Sequence, residues 1–193
     1  MKLIDISAWQ ENVDWNAVVN EGIEGVIIKL GESGRLDEMF IDHVNNAVAN
    51  GLKYGIYFYS NAQSANEARE EAAWVDEQIR TYLDGKTPEL GIWYDAEDKK
   101  MLSGDVTAVC SAFVNYLNAQ GGYNYVGIYS SYNWLANRII DTDQLADYVP
   151  YWVAQYNYRN DLILEKPNLN IKIWQYTDHY SDDLPYDANI YYE

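Results

Sequence analysis

Leu90-Gly91-Ile92-Trp93-Tyr94-Asp95-Ala96-Glu97 is an apolar run that ends in two carboxylates one residue apart. Side chains on a strand alternate between faces, so Asp95 and Glu97 are expected to project from the same side at the strand's end. Two acids held that close do not both ionise easily, and one of them is expected to keep its proton above the usual carboxylate range. A proton donor and an anion beside one bond are what glycoside hydrolysis requires. A pair of solvated acids just past a strand, followed by Asp98, Lys99 and Lys100, has the same spelling, so the context decides.

Outward from this run, short β-rich segments alternate with helical patterns long enough for a crossover. Strands are expected at 3–7, 25–30, 54–60, 90–97 and 125–130, with Val26, Ile27 and Ile28 buried on both faces. Asp14 caps a helix carrying Trp15, Val18 and Val19, and a second helix with Phe40, Val44 and Ala47 closes at Asn50-Gly51. Ser64-Ala65-Asn66-Glu67 spells a capping box before a stripe of Ala68, Ala72, Val75 and Ile79. Val106, Val109, Cys110, Phe113 and Leu117 line the next helix, and a short one is expected around Trp134-Leu135. The tail changes character, with strands at 151–156, 171–177 and 188–191 joined by loops without clear helices.

This order implies an α/β fold with a mainly parallel sheet: a TIM-like barrel of about five βα units followed by three strands with few helices. No linker or repeat interrupts the chain, and a single domain over 1–193 is expected. In such a barrel, chemistry gathers where strands end and loops to helices begin. Asp5, inside Leu3-Ile4-Asp5-Ile6-Ser7, then becomes a candidate, because an acid within an apolar strand is costly unless it is paired or functional.

Composition narrows the function. Nineteen Tyr and seven Trp stand against three Phe, and rings with one flat apolar face and a hydrogen-bonding edge suit sugars as well as cores. Thirty acids against thirteen bases give a net charge of −17, which excludes the basic footprint of nucleic-acid binding and any electrostatic attraction to anionic membranes or walls. The sole cysteine, Cys110, reads as a buried thiol. No apolar stretch is long enough to span a bilayer, and the first residues read as a strand rather than a signal peptide. His43 and His179 have no partner at metal-ligand spacing, so neither metal nor cofactor is expected.

Seven segments stand in order with a known pattern: Asp5-Ile6-Ser7 with Gln10 and Asp14-Trp15; Gly25–Lys29; Gly51-Leu52 with Gly55-Ile56-Tyr57; Tyr94–Glu97; Tyr151–Tyr156; Trp174–Thr177; and Asp187-Ala188-Asn189. Together they resemble glycoside hydrolase family 25, the lysozymes of bacterial autolysins and phage endolysins. The resemblance implies a flattened β/α barrel that cleaves the β-1,4 bond between N-acetylmuramic acid and N-acetylglucosamine in bacterial peptidoglycan. By position, Glu97 matches the general acid, Asp95 its neighbour on the same strand, and Asp5 and Asp187 two further acids of the cleft. Tyr57, Trp152, Tyr156, Trp174 and Gln175 match positions that shape sugar subsites, and Glu32 is carried with them as a substrate-binding candidate. Core packing is the competing reading for each of the aromatic residues.

Three departures bear on loop shape: Phe58 stands where many relatives have histidine, Gly31-Glu32-Ser33-Gly34 replaces the usual Thr/Ser-Glu-Gly, and Asp98 follows Glu97. The attacking species is open between water, a carboxylate and the substrate's 2-acetamido oxygen. A chitinase-like glycosidase is a rival, weakened because Gly91 and Trp93 occupy places where such enzymes carry acids. A catalytically silent wall-binding module is a second rival. The protein is expected to act on the wall outside the cell, as a monomer. A C-terminal wall-binding module is expected to offset its anionic surface, and release by a phage route or by a leader outside this chain is expected.

Overall fold

The computed structural model describes residues 1–84 and 86–192. Its elements run β1 (Lys2–Ile6), α1 (Trp15–Asn20), β2 (Gly25–Glu32), β3 (Arg35–Leu36), α2 (Phe40–Ala49), β4 (Lys53–Tyr59), α3 (Ala65–Tyr82), β5 (Ile92–Asp95), α4 (Val106–Gln120), β6 (Val126–Ser131), α5 (Tyr132–Ala136), β7 (Tyr151–Ala154), α6 (Asp161–Glu165), β8 (Ile171–Thr177) and β9 (Asp187–Tyr191). Strands β1, β2, β4, β5, β6, β7 and β8 pair in parallel, each with the next. Strand β9 closes the ring, antiparallel to both β8 and β1. The result is an α/β barrel of eight strands with β3 added at its rim.

The reversal of β9 follows from chain length. A parallel return needs a crossover of roughly a dozen residues, and the segment 178–186 is shorter than that. The tail holds one short helix, α6, where the sequence pattern gave none. Strand β5 is also shorter than expected. Gly91 takes a φ of +81°, and a side chain there would run into the Tyr125 ring, so the ladder begins only at Ile92. The ladder ends at Asp95, so Glu97 sits beyond it, on the loop that leaves β5.

Strand β3 was not legible as a strand. Ser33 and Gly34 both hold positive φ, at 49° and 70°, and join Glu32 to Arg35 as a two-residue hairpin. Gly31 is required beneath it, because a Cβ would lie 2.1 Å from the Arg35 carbonyl oxygen. The altered loop after β2 is thus a folded-back flap at the mouth of the barrel.

Two apolar layers form, as period-two strands inside a helical coat dictate. Leu3, Ile27, Trp93, Trp152 and Ile173 fill the barrel itself. Ile4, Ile28, Ile56, Tyr94 and Ile128 point outward against α2, α3 and α4. Phe58 belongs to the outer layer, against Trp74 and stacked on Phe113, which in turn stacks on Tyr94 with ring centres 4.0 Å apart. Cys110 is buried in the same layer. The end of β5 is tied to this coat by a buried triangle: Tyr94 and Ser60 both donate to Glu71, at 2.6 and 2.8 Å. Among the described residues no helix is long and apolar enough to cross a membrane.

Candidate active site

Strand phase decides which side chains meet at the open end of the barrel. Leu3 and Asp5 on β1, Ile27 and Lys29 on β2, and Trp93 and Asp95 on β5 share inward faces, each with an apolar residue below and a polar one above. Tyr57 on β4 and Tyr129 on β6 point the same way, and Tyr129 pairs directly with Asp95 in the ladder. On the closing side, Asp187 pairs with Asp5 across β1 and β9. The inward apolar residues make a floor, and the polar ones stand above it.

Gln175 on β8 ties the acids together. Its amide nitrogen donates to Asp5 Oδ2 at 3.0 Å and to Asp187 Oδ2 at 3.1 Å. Its amide oxygen accepts from the hydroxyls of Tyr129 at 3.0 Å and Tyr156 at 3.2 Å. The two carboxylate acceptors set the amide's orientation, and the two hydroxyls turn to donate to its oxygen. Asn189 adds a second donor to Asp5 at 2.7 Å and accepts from the Trp152 indole at 2.7 Å.

Asp5 and Asp95 are almost inaccessible, at 8% and 5% exposure. Burial, then the neighbouring Asp187 charge, lifts Asp5 to about 7, although Asn189 and Gln175 act in the opposite direction. Burial, then Glu97, holds Asp95 well above the ordinary carboxylate range, with the Lys29 ammonium pulling it down. Burial and Asp178 lift Asp187 to about 6. Glu97 reaches water in the open cleft, yet enough protein surrounds its carboxyl to raise its pKa, and the Asp187 and Asp98 charges raise it further. The expected coupling of Asp95 and Glu97 is present and acts on Asp95, and Asp187 on the last strand adds a second charge effect on Glu97.

These shifts have a stability consequence. The folded pKa of Asp5, about 7, exceeds its ordinary 3.8, so the native state binds a proton that the unfolded chain has released. This group's effect on stability is therefore most favourable at low pH, and it weakens as pH rises from about 4 through about 7. In Asp5→Asn, the amide oxygen can accept from both Gln175 and Asn189. The melting temperature at about pH 8 is expected to rise by roughly 2–8 °C, and the decline between about pH 4 and 7 to flatten. Thermal unfolding at several pH values measures both, and an unchanged slope would mean that the Asp5 charge is not its source.

The remaining candidates divide. Tyr156 is exposed beside Glu97 in a hollow of about 380 Å³ that Tyr129, Tyr132 and Gln155 also line. Tyr57 is half-buried, with its phenol near Ser7, Asp5 and Asp95. Trp152 is 2% exposed and packs edge-on against Tyr57, Trp93 and Tyr129, so it forms the floor and offers no face to a ligand. Trp174 is out of phase with Gln175, points away from the barrel interior, and donates to the Gln155 carbonyl at 2.8 Å. Neither tryptophan lines the hollow beside Glu97, although Trp174 bonds to Gln155, which does. Glu32 ends β2 and pairs with Lys29 at 2.5 Å on the opposite flank. Asp98 caps the turn at Lys99–Ser103 and accepts from Tyr59. Among the described residues, no group of three or more His, Cys, Asp and Glu is arranged to hold a metal ion.

The model of the family described as glycosyl hydrolases family 25 matches residues 4–183. The chain belongs to that family. Over 182 residues it is 30% identical to an autolytic lysozyme of Clostridium acetobutylicum, covering 92% of this chain and 51% of that protein. The modular autolysin LytC from Streptococcus pneumoniae superposes with a TM-score of 0.82 at 26% identity, covering 99% of this chain and 46% of that one. This chain thus spans about half the length of both. A bacterial lysozyme from Streptomyces coelicolor shares the fold with a TM-score of 0.81 at 21% identity, covering 100% of this chain and 92% of that one.

Three residues of this family 25 site were not singled out from the sequence: Lys29, Tyr129 and Asn189. Phase carried a signal for the first. Lys29 follows Ile27 on the inward face of a buried strand, where a charge is as anomalous as Asp5 on β1. Tyr129 looked like any core tyrosine. Asn189 needed the pairing of β9 with β1, which no local pattern reveals.

Proposed function

We propose that this chain is the catalytic part of a peptidoglycan hydrolase, an N-acetylmuramidase that cuts the β-1,4 bond between N-acetylmuramic acid and N-acetylglucosamine. The observation that carries the reading is the convergence of Asp5, Asp95, Glu97 and Asp187 from three strands and a loop onto one open cleft. Family membership and the lysozyme and autolysin relatives support the substrate class.

Glu97 is the general acid. It is the most exposed member of the quartet, and its raised pKa keeps a proton available for the departing sugar oxygen. In their ionised forms, Asp95, Asp5 and Asp187 supply the negative field that stabilises charge at the anomeric carbon. Gln175, fixed by its four partners, holds Asp5 and Asp187 in register. The attacker is water, a carboxylate or the substrate's acetamido oxygen. The first product's anomeric configuration separates water from the other two, since water attacking directly inverts and the other two retain. The site of action is the wall, outside the membrane, and the net charge of −17 makes a separate wall-binding module part of this proposal.

Mass spectrometry of fragments released from purified sacculi tests the reading. New N-acetylmuramic acid reducing ends are expected. New N-acetylglucosamine reducing ends would make the chain a glucosaminidase, and wall binding without any new reducing end would make it a binding module.

A further inference from the structure

Trp9 is 90% exposed, although an indole is among the side chains that gain most from burial. It stands four residues beyond Asp5, on the loop that leaves β1 at the mouth of the barrel. That loop is firmly held. Gln10 N–H donates to the Ser7 carbonyl, and Ser7 N–H to the Gln10 side chain, both at 2.9 Å. Ala8 N–H donates to Asp37 at 3.0 Å, and the buried His43 on α2 donates to the Gln10 carbonyl at 3.0 Å. A backbone pinned on both sides of Trp9 presents the ring to solvent instead of letting it fold down.

Beside the ring lies a hollow of about 450 Å³, within the roughly 300–1,000 Å³ range of ligand pockets, with Lys29, Glu32, Arg35 and Asp37 in its walls. The β2–β3 hairpin forms the wall opposite the loop. Lys29 connects this hollow to the acids. Only 14% exposed, it pairs with Glu32, lies 5.4 Å from the centre of the Tyr59 ring, and acts electrostatically on Asp95. The walls thus offer an apolar plate together with donors and acceptors, four carboxylates (Glu11, Glu32, Asp37 and Glu38) against the two cations Lys29 and Arg35, which suits the hydroxyl and acetamido groups of an uncharged sugar.

We propose that Trp9 and this hollow form a distal saccharide subsite that holds a β-1,4-linked amino-sugar residue away from the bond being cut. The proposal rests on the muramidase reading and adds to it a residue that grips the strand. Ring stacking of this kind corresponds to about a three- to tenfold effect in affinity.

The test uses glycan strands stripped of their stem peptides, comparing long strands with the shortest strand that is cut at a measurable rate. In Trp9→Ala, the preference for long over short strands is expected to fall about three- to tenfold, through KM and not kcat, and Trp9→Phe is expected to restore most of it. In the Glu97→Gln background, long strands are expected to change the indole fluorescence, and adding Trp9→Phe should remove that change. An unchanged preference, an equal loss on both lengths, or a loss confined to strands that carry stem peptides would overturn the subsite. A wild-type chain that releases no reducing ends would overturn the muramidase reading instead, leaving the fluorescence arm to judge Trp9 on its own.

Discussion

Glu97→Gln is expected to lower the rate of reducing-end release from sacculi by about 10²–10⁴-fold, the usual worth of a positioned general acid. The side chain is exposed and lies beyond the β5 ladder, and glutamine can still accept from Tyr129, so the fold is expected to survive. Glutamine keeps the shape and removes the transferable proton. Initial rates, with the melting temperature as a control, measure both halves. Wild-type lysis by a folded Glu97→Gln protein would remove Glu97 from the chemistry and leave the quartet without a donor.

Asp95→Asn is expected to lower kcat by about 10²–10³-fold, the scale seen when one preorganised electrostatic contact to a developing charge is lost. Asp95 is 5% exposed, and its Oδ1 is buried with no hydrogen-bond partner, an arrangement that costs stability and faces the cleft floor beside Glu97. In a site of low polarity its field acts with little screening. Removing the charge should therefore slow catalysis while raising the melting temperature, a split that loss of a merely structural carboxylate would not give. A variant that keeps more than about a tenth of the rate would make Asp95 a buried structural acid only.

What the sequence revealed depended on periodicity. Strands β1, β2, β4 and β6 lay within a residue or two of their expected places because their apolar runs are bounded by glycine and capping residues. Asp5 stood out for the same reason: an acid flanked by isoleucines on a buried strand has few innocent explanations. The β2–β3 hairpin was hidden because Ser33-Gly34 reads as loop until both residues are found at positive φ. Trp174 neighbours Gln175 on one strand, so alternation alone puts the two on opposite faces. Trp152 has an inward phase, and only the depth of the barrel separates floor from cleft. The partnership of Asp187 with Asp5 is set by a ladder between residues some 180 positions apart, which no window of sequence contains.

That ladder also fixes when the cleft can exist. Lys2 faces Ile190 and Asp5 faces Asp187, so the barrel closes by zipping its opening segment to its final one. Until the last strand has emerged from the ribosome, Gln175 has no Asp187 to clasp and Asp5 has no Asn189 donor. Contacts so distant in sequence are slow to form, because loop-closure entropy must be overcome before they repay it. A copy truncated before β9 would thus lack both Asp187 and the Asn189 donor that hold Asp5 in place.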